Sequence, residues 1–295
     1  MQADAVTGLA ASPLVVPLVI PGELWRAWSF DPAVVTALAG SAAVYWRGWR
    51  KLARRGSRAV AGRQAAAFFA GLWVLAVALV SPLDALATTL LSAHMAQHLL
   101  LLAVAPPLIV YGRPGLVMAL GLPEPARRRL AGITRRRRGW AGIALHPLVV
   151  LVLATIALWG WHLPGPYQAA LRNPPAHAAE HVVFLVTALA FWSLVIDPGP
   201  RRRLGYAPGM LLVFVSMLAS SALGALITFS PLVLYPLYQA GASMWGTTAL
   251  ADQQLAGAVM WVPPGLLYLV VIVVLARRWF DEVDRRVRRA EGVAA

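Results

Sequence analysis

The chain has no cysteine, which excludes disulfides, thiolate metal sites and cysteine nucleophiles; any metal must be held by histidine, methionine, carboxylate or amide. Charge is scarce as well. Only 13% of the 295 residues are charged against 59% hydrophobic, and the mean hydropathy is +0.67. A soluble domain of this length needs more polar surface, so the composition is that of a polytopic membrane protein. Lysine is nearly absent: arginine supplies 25 of the 26 basic residues. Those arginines fall in short runs between apolar segments, so the formal charge of +14 reads as membrane topology and not as nucleic-acid binding. The first twenty residues lack a basic run, and Pro13, Pro17 and Pro21 interrupt their apolar stretch. That is unlike a cleaved signal peptide and predicts an external N-terminal arm over residues 1–31.

A spanning helix needs about 20 mostly apolar residues. By that measure apolar segments lie near residues 32–49, 64–81, 86–111, 144–162, 176–196, 207–228 and 248–276. The predicted fold is therefore all-α, with seven transmembrane helices forming one domain over 32–276 and a basic tail over 277–295. The stretches Arg47 to Arg63, Arg113 to Arg138 and Arg201 to Arg203, with the tail from Arg277, hold 24 of the 26 basic residues. They follow the first, third, fifth and seventh segments, so the positive-inside rule puts the N-terminus outside and the C-terminus in the cytoplasm. The expected location is the bacterial plasma membrane, with lipid as an obligate partner.

With that orientation, His94 and His98 sit roughly 12 and 18 Å in from the outer end of the third segment, at 1.5 Å per residue. His162 ends the fourth segment at the outer face, and His177 and His181 open the fifth; only His146 falls on the cytoplasmic side. His94 with His98 and His177 with His181 are spaced i, i+4, so each pair projects from one side of its helix, and two such helices can aim four imidazoles at one point. Glu180 and Asp252 lie toward the same face, and Met95 and Met260 can reach the same depth. Ionisable groups inside a span are costly and mark function by default. Imidazole with thioether suits copper, whereas imidazole with carboxylate suits zinc or iron.

Four ordered motifs carry a resemblance: His94-Met-Ala-Gln-His98-Leu-Leu-Leu with Ala105-Pro-Pro-Leu, Trp161-His-Leu-Pro164 with Tyr167, His177-Ala-Ala-Glu-His181 with Phe184, and Asp252-Gln-Gln-Leu-Ala-Gly257 with Met260-Trp261. Over roughly residues 30–280 the chain resembles the CtaG-type cytochrome c oxidase assembly factors, the membrane family named for the caa-type oxidase. The resemblance implies a non-enzymatic role in maturing haem-copper oxidases by handling copper, with oxidase subunits and an external copper chaperone as partners. His94, His98, His162, His177, Glu180, His181 and Asp252 match the family's polar positions.

Three other readings remain open. His177-x-x-Glu180-His181 fits the inverted zinc-protease signature. Facing histidines can ligate haem, as in a membrane electron carrier. Relatives also look similar to copper uptake and resistance proteins. For a copper pocket the expectation is that His94, His98, His177 and His181 bind the ion, that His162 and Asp252 sit at the mouth, and that Pro106-Pro107 kinks the third helix below the histidines.

Overall fold

The computed structural model describes residues 18–57, 59–136, 138–196 and 204–293. Among them every regular element is helical. In chain order these are α1 (Pro32–Arg54), α2 (Gly62–Leu79), α3 (Pro82–Ala87), α4 (Leu91–Leu99), a π-helical turn (Leu100–Val104), α5 (Ala105–Tyr111), α6 (Pro114–Gly121), α7 (Glu124–Arg136), α8 (Arg138–Ala144), α9 (Pro147–His162), α10 (Pro164–Arg172), α11 (Pro174–Ile196), α12 (Tyr206–Phe229), α13 (Gln239–Met244) and α14 (Ala249–Val293). Of the predicted arm, residues 1–17 lie outside the described part. The remainder packs on the bundle: Val19 N–H donates to Thr89 Oγ1 at 3.0 Å, and Ser29 N–H to the Val80 carbonyl at 2.9 Å.

Five helices are long and apolar enough to cross a membrane, and a sixth crossing results if α9 and α10, bent 73° from each other, count as one span. The seventh expected span is α1. It forms a helix of 23 residues, but Arg47, Arg50, Lys51 and Arg54 occupy its second half and shorten its apolar part. The predicted tail also differs, because α14 continues without a break through Val293. Apolar side chains remain exposed around the bundle, among them Leu148, Val152 and Ile156 on α9 and Leu266, Val270 and Val273 on α14. In water such a surface is a liability; in a bilayer it is the lipid-facing side.

The run Leu91–Tyr111 is the hub: 61% of its apolar window is buried, against 17–39% for the other four spans. It packs against α2, α11 and α14, while α12 lies along α14. The last pair approaches closely at Gly257, where a Cβ would stand 2.4 Å from Thr228 Oγ1 and 2.6 Å from Thr228 N.

Two departures from the expected third segment position the site. First, the predicted stretch 86–111 is broken: α3 ends at Ala87, Leu90 is extended, and α4 begins at Leu91. His94 and His98 are therefore three and seven residues from the helix start, about 4.5 and 10.5 Å at 1.5 Å per residue. Second, Pro106-Pro107 is absorbed by the π turn, in which Ala105 N–H bonds to the Leu100 carbonyl, within one continuous run. Proline at 106 has no N–H for the carbonyl four residues earlier, that of Leu102; Trp192 Nε1 donates to it instead, at 2.9 Å.

Candidate metal centre

The start of α4 has no capping side chain of its own. Its cap comes from α14: the Asp252 carboxylate accepts from Leu91 N at 2.7 Å, from Ser92 N at 3.2 Å and from Ser92 Oγ at 2.5 Å. A buried carboxylate at a helix N-terminus satisfies free N–H groups and opposes the positive end of the dipole. This fixes the first turn of α4, from which His94 projects. The neighbouring Gln253 is equally committed, accepting from Leu234 N at 2.7 Å and donating to the Leu232 carbonyl at 2.9 Å, which ties the loop before α13 to α14.

That loop delivers two tyrosines. Tyr238 OH donates to the Ala87 carbonyl at 3.1 Å and lies 3.0 Å from His94 Nδ1 and 2.9 Å from Tyr167 OH. His94 Nδ1 is also 3.3 Å from the Ala87 carbonyl. The assignment that satisfies this network puts the proton on Nδ1, leaving the His94 Nε2 lone pair facing away from the tyrosines. His162 Nδ1 lies 2.7 Å from the Leu158 carbonyl, so it too carries its proton on Nδ1, and Tyr235 OH holds the backbone at the bend by donating to the His162 carbonyl at 2.6 Å.

Five imidazoles then meet. The ring centroids of His94 and His98 are 4.3 Å apart, His177 and His181 4.2 Å, His94 and His177 5.2 Å, His98 and His181 5.6 Å, and His98 and His162 5.7 Å. His94 Nε2 and His98 Nε2 are 2.9 Å apart, and His98 Nε2 is 3.8 Å from Glu180 Oε1. Two overlapping sets of ligand atoms, His94 with His177 and His181, and His94 with His98 and Glu180, each lie within 4.8 Å of one another. His94, His98, His162 and Glu180 are buried, Glu180 completely.

The polar atoms in this cluster lack protein partners. His162 Nε2, His177 Nε2, His181 Nε2 and both Glu180 oxygens are buried without a hydrogen bond. Orphaned atoms of this kind are rare in folded proteins, because each costs about 1–3 kcal/mol unpaired. Here several face one point, and all are electron-pair donors. A cation, a proton or water satisfies such a set; an apolar ligand does not.

Of the residues expected at the site, the structure brings together His94, His98, His162, His177, Glu180 and His181. It keeps Asp252 on the helix start. Met95 and Met260 pack in the apolar cluster beneath, with Leu91, Tyr167 and Leu223, and both line a cavity that also reaches His98 and His162. His146 is exposed at the far end of α9. Sequence reasoning missed Tyr235, Tyr238 and Gln97. The tyrosines stand in a proline-bounded loop with no periodicity to orient them, while Gln97, between the paired histidines, was readable as a buried polar residue. It donates to Asp84 Oδ1 and the Ala78 carbonyl, both at 2.8 Å, and so clamps α4 to the turn between α2 and α3.

Residues 43–282 match the family described as cytochrome c oxidase caa3 assembly factor. Among curated proteins the chain is 31% identical over 275 residues to the uncharacterized protein Mb0105 of Mycobacterium bovis and, equally, to the uncharacterized protein MT0111 of Mycobacterium tuberculosis. It is 26% identical over 274 residues to the uncharacterized protein ML1998 of Mycobacterium leprae. Each alignment covers 90% of this chain but 41% of the relative, so the chain spans about two fifths of the length of the proteins it matches. No solved structure matches it.

Proposed function

The chain belongs to the cytochrome c oxidase caa3 assembly factor family, and from that membership we propose that it holds copper as cargo in the histidine cluster and hands it to a haem-copper oxidase subunit. The carrying observation is the set of buried donors without partners on His162, His177, His181 and Glu180, beside the facing Nε2 atoms of His94 and His98. Nitrogen donors with one carboxylate suit a transition-metal ion, and copper heads the divalent affinity series. The ring centroids crowd within 4.2–6.4 Å, with no gap for a porphyrin plate, which favours an ion over haem. A peptidase would need Glu180 open to a substrate, yet it is wholly buried, so the reading is non-enzymatic.

The topology that goes with this function has seven spans, α1 included, in the bacterial plasma membrane, with the histidine end outside and the C-terminus in the cytoplasm. An external copper chaperone would then load the site from the histidine side. Reporter fusions after Val293 test the orientation: a cytoplasmic fluorescent protein is expected to mature there and an exported phosphatase to stay silent.

The binding test uses the purified full chain in detergent. Copper, zinc, iron and haem per chain are measured, then repeated with His94 and His98 changed to alanine. Copper retained by the wild type and lost by the variant is the expected result. A wild type that stays metal-free under copper loading refutes the site, and an oxidase with full copper content in a deletion strain refutes the delivery role.

A further inference from the structure

Directly inward of the cluster, α4, α9, α11, α12 and α14 enclose a chamber of about 90 Å³, several times the roughly 10–15 Å³ one water requires. Four of its lining residues carry soft or nitrogen donors: His98, His162, Met95 and Met260. Its hydroxyls are turned to their own helices; Thr187 Oγ1 donates to the Val183 carbonyl at 2.8 Å and Ser220 Oγ to the Met217 carbonyl at 3.1 Å. By contrast, His98 Nδ1 and His162 Nε2 are buried without partners, on residues only 3% exposed. His98 thus engages the cluster through Nε2 and keeps its other nitrogen free.

We infer that this chamber is a second, inner metal site, built from His98, His162, Met95 and Met260 and selective for a soft monovalent cation. Two arguments separate it from the outer cluster. Thioether with imidazole is a soft donor set, matched to monovalent copper or its congeners, whereas the cluster adds the hard carboxylate of Glu180. Charge points the same way. The four inner donors are neutral and the surroundings apolar, and the Born cost of a buried ion grows with the square of its charge, so a monovalent ion enters where an uncompensated divalent one does not. The cluster, with a carboxylate, accepts a divalent ion. The inference extends the metal-handling reading: a route for the ion runs from the outer cluster, past His98, into the membrane interior.

The test uses silver(I), a redox-inert monovalent probe, and zinc(II) for the cluster, titrated separately and together into the purified full chain. Simultaneous binding is expected. Met95→Leu with Met260→Leu should lower silver affinity by roughly 100-fold, beyond the ~10-fold of an outer-shell change, and leave zinc in place. His177→Ala with His181→Ala should do the reverse. Leucine nearly matches methionine in volume, so folding should survive; independently, selenomethionine-labelled wild type should show silver–selenium scattering at the selenium absorption edge. Silver and zinc competing for one site, undiminished silver affinity in the methionine variant, or absent silver–selenium scattering each overturns the inner site. Zinc binding that survives loss of His177 and His181 instead sinks the outer cluster and leaves the silver result standing on its own.

Discussion

Replacing Asp252 separates a ligand from a cap. Its carboxylate accepts two backbone N–H groups and one hydroxyl at the start of α4, and Leu91, whose N–H makes the shortest backbone bond, is 1% exposed. Asp252→Ala strands that N–H with no water to take its place. Loss of an N-cap costs about 0.5–2 kcal/mol and a stranded buried donor about 1–3 kcal/mol, so the apo protein should lose roughly 2–4 kcal/mol. Asp252→Asn keeps an acceptor oxygen but loses the charge assistance, for about 1–2 kcal/mol. The assay is unfolding of metal-free protein in detergent beside a zinc titration of each variant. A cap predicts destabilised apo protein and a zinc affinity lowered by about tenfold or less, through tilt of His94. If Asp252→Ala instead leaves apo stability unchanged and abolishes zinc binding, Asp252 is a ligand and the capping argument is wrong.

Tyr238→Phe removes the hydroxyl beside His94 Nδ1, Ala87 and Tyr167; metal affinity should fall by about 10- to 100-fold, the usual range for an outer-shell partner, as read by zinc titration. Gly257→Ala, which in an exposed helix would add stability, should here cost about 1–3 kcal/mol in thermal unfolding, since the new Cβ meets the Thr228 backbone and forces α12 from α14. Burial raises the Asp84 carboxyl above the ordinary range, partly offset by the bond from Gln97. The folded state therefore holds that proton more tightly than the unfolded chain. Stability should fall as pH rises from the ordinary aspartate value through the raised one, and a melting-temperature profile of Asp84→Asn should lack that slope.

The apolar runs made the spans legible, and the i, i+4 spacing made the two histidine pairs legible, because both are local patterns read against a fixed helical period. What the local pattern missed was set from far along the chain. The break at residues 88–90 contains neither glycine nor proline, and α4 starts at Leu91 only because a carboxylate 161 positions later supplies its cap. Asp252 was therefore assigned to the right neighbourhood and the wrong task. Pro106-Pro107 was read as a kink from the lost N–H, but Trp192, on another helix, supplies a donor to the freed Leu102 carbonyl. Tyr238 was invisible for a similar reason: its loop has no period, and Gln253 on α14 positions the stretch that precedes it.

The same non-local placement sets the charge the centre tolerates. Both α4 and α11 begin near the cluster, and their positive dipole ends oppose a bound cation. Asp252 answers the first end directly. Glu180 is the single acidic side chain in the two candidate ligand sets, so it carries the balance for the ion itself. At an effective permittivity near 20, unit charges 4 Å apart attract by about 4 kcal/mol, and a divalent ion gains twice that. Glu180→Gln keeps the shape and removes the charge. Divalent zinc should therefore lose about twice as much affinity, in logarithmic terms, as monovalent silver bound at the cluster, with Met95→Leu and Met260→Leu present to silence the inner site. Equal logarithmic losses for the two ions would mean that Glu180 acts by geometry alone and that charge does not decide which ion the cluster holds.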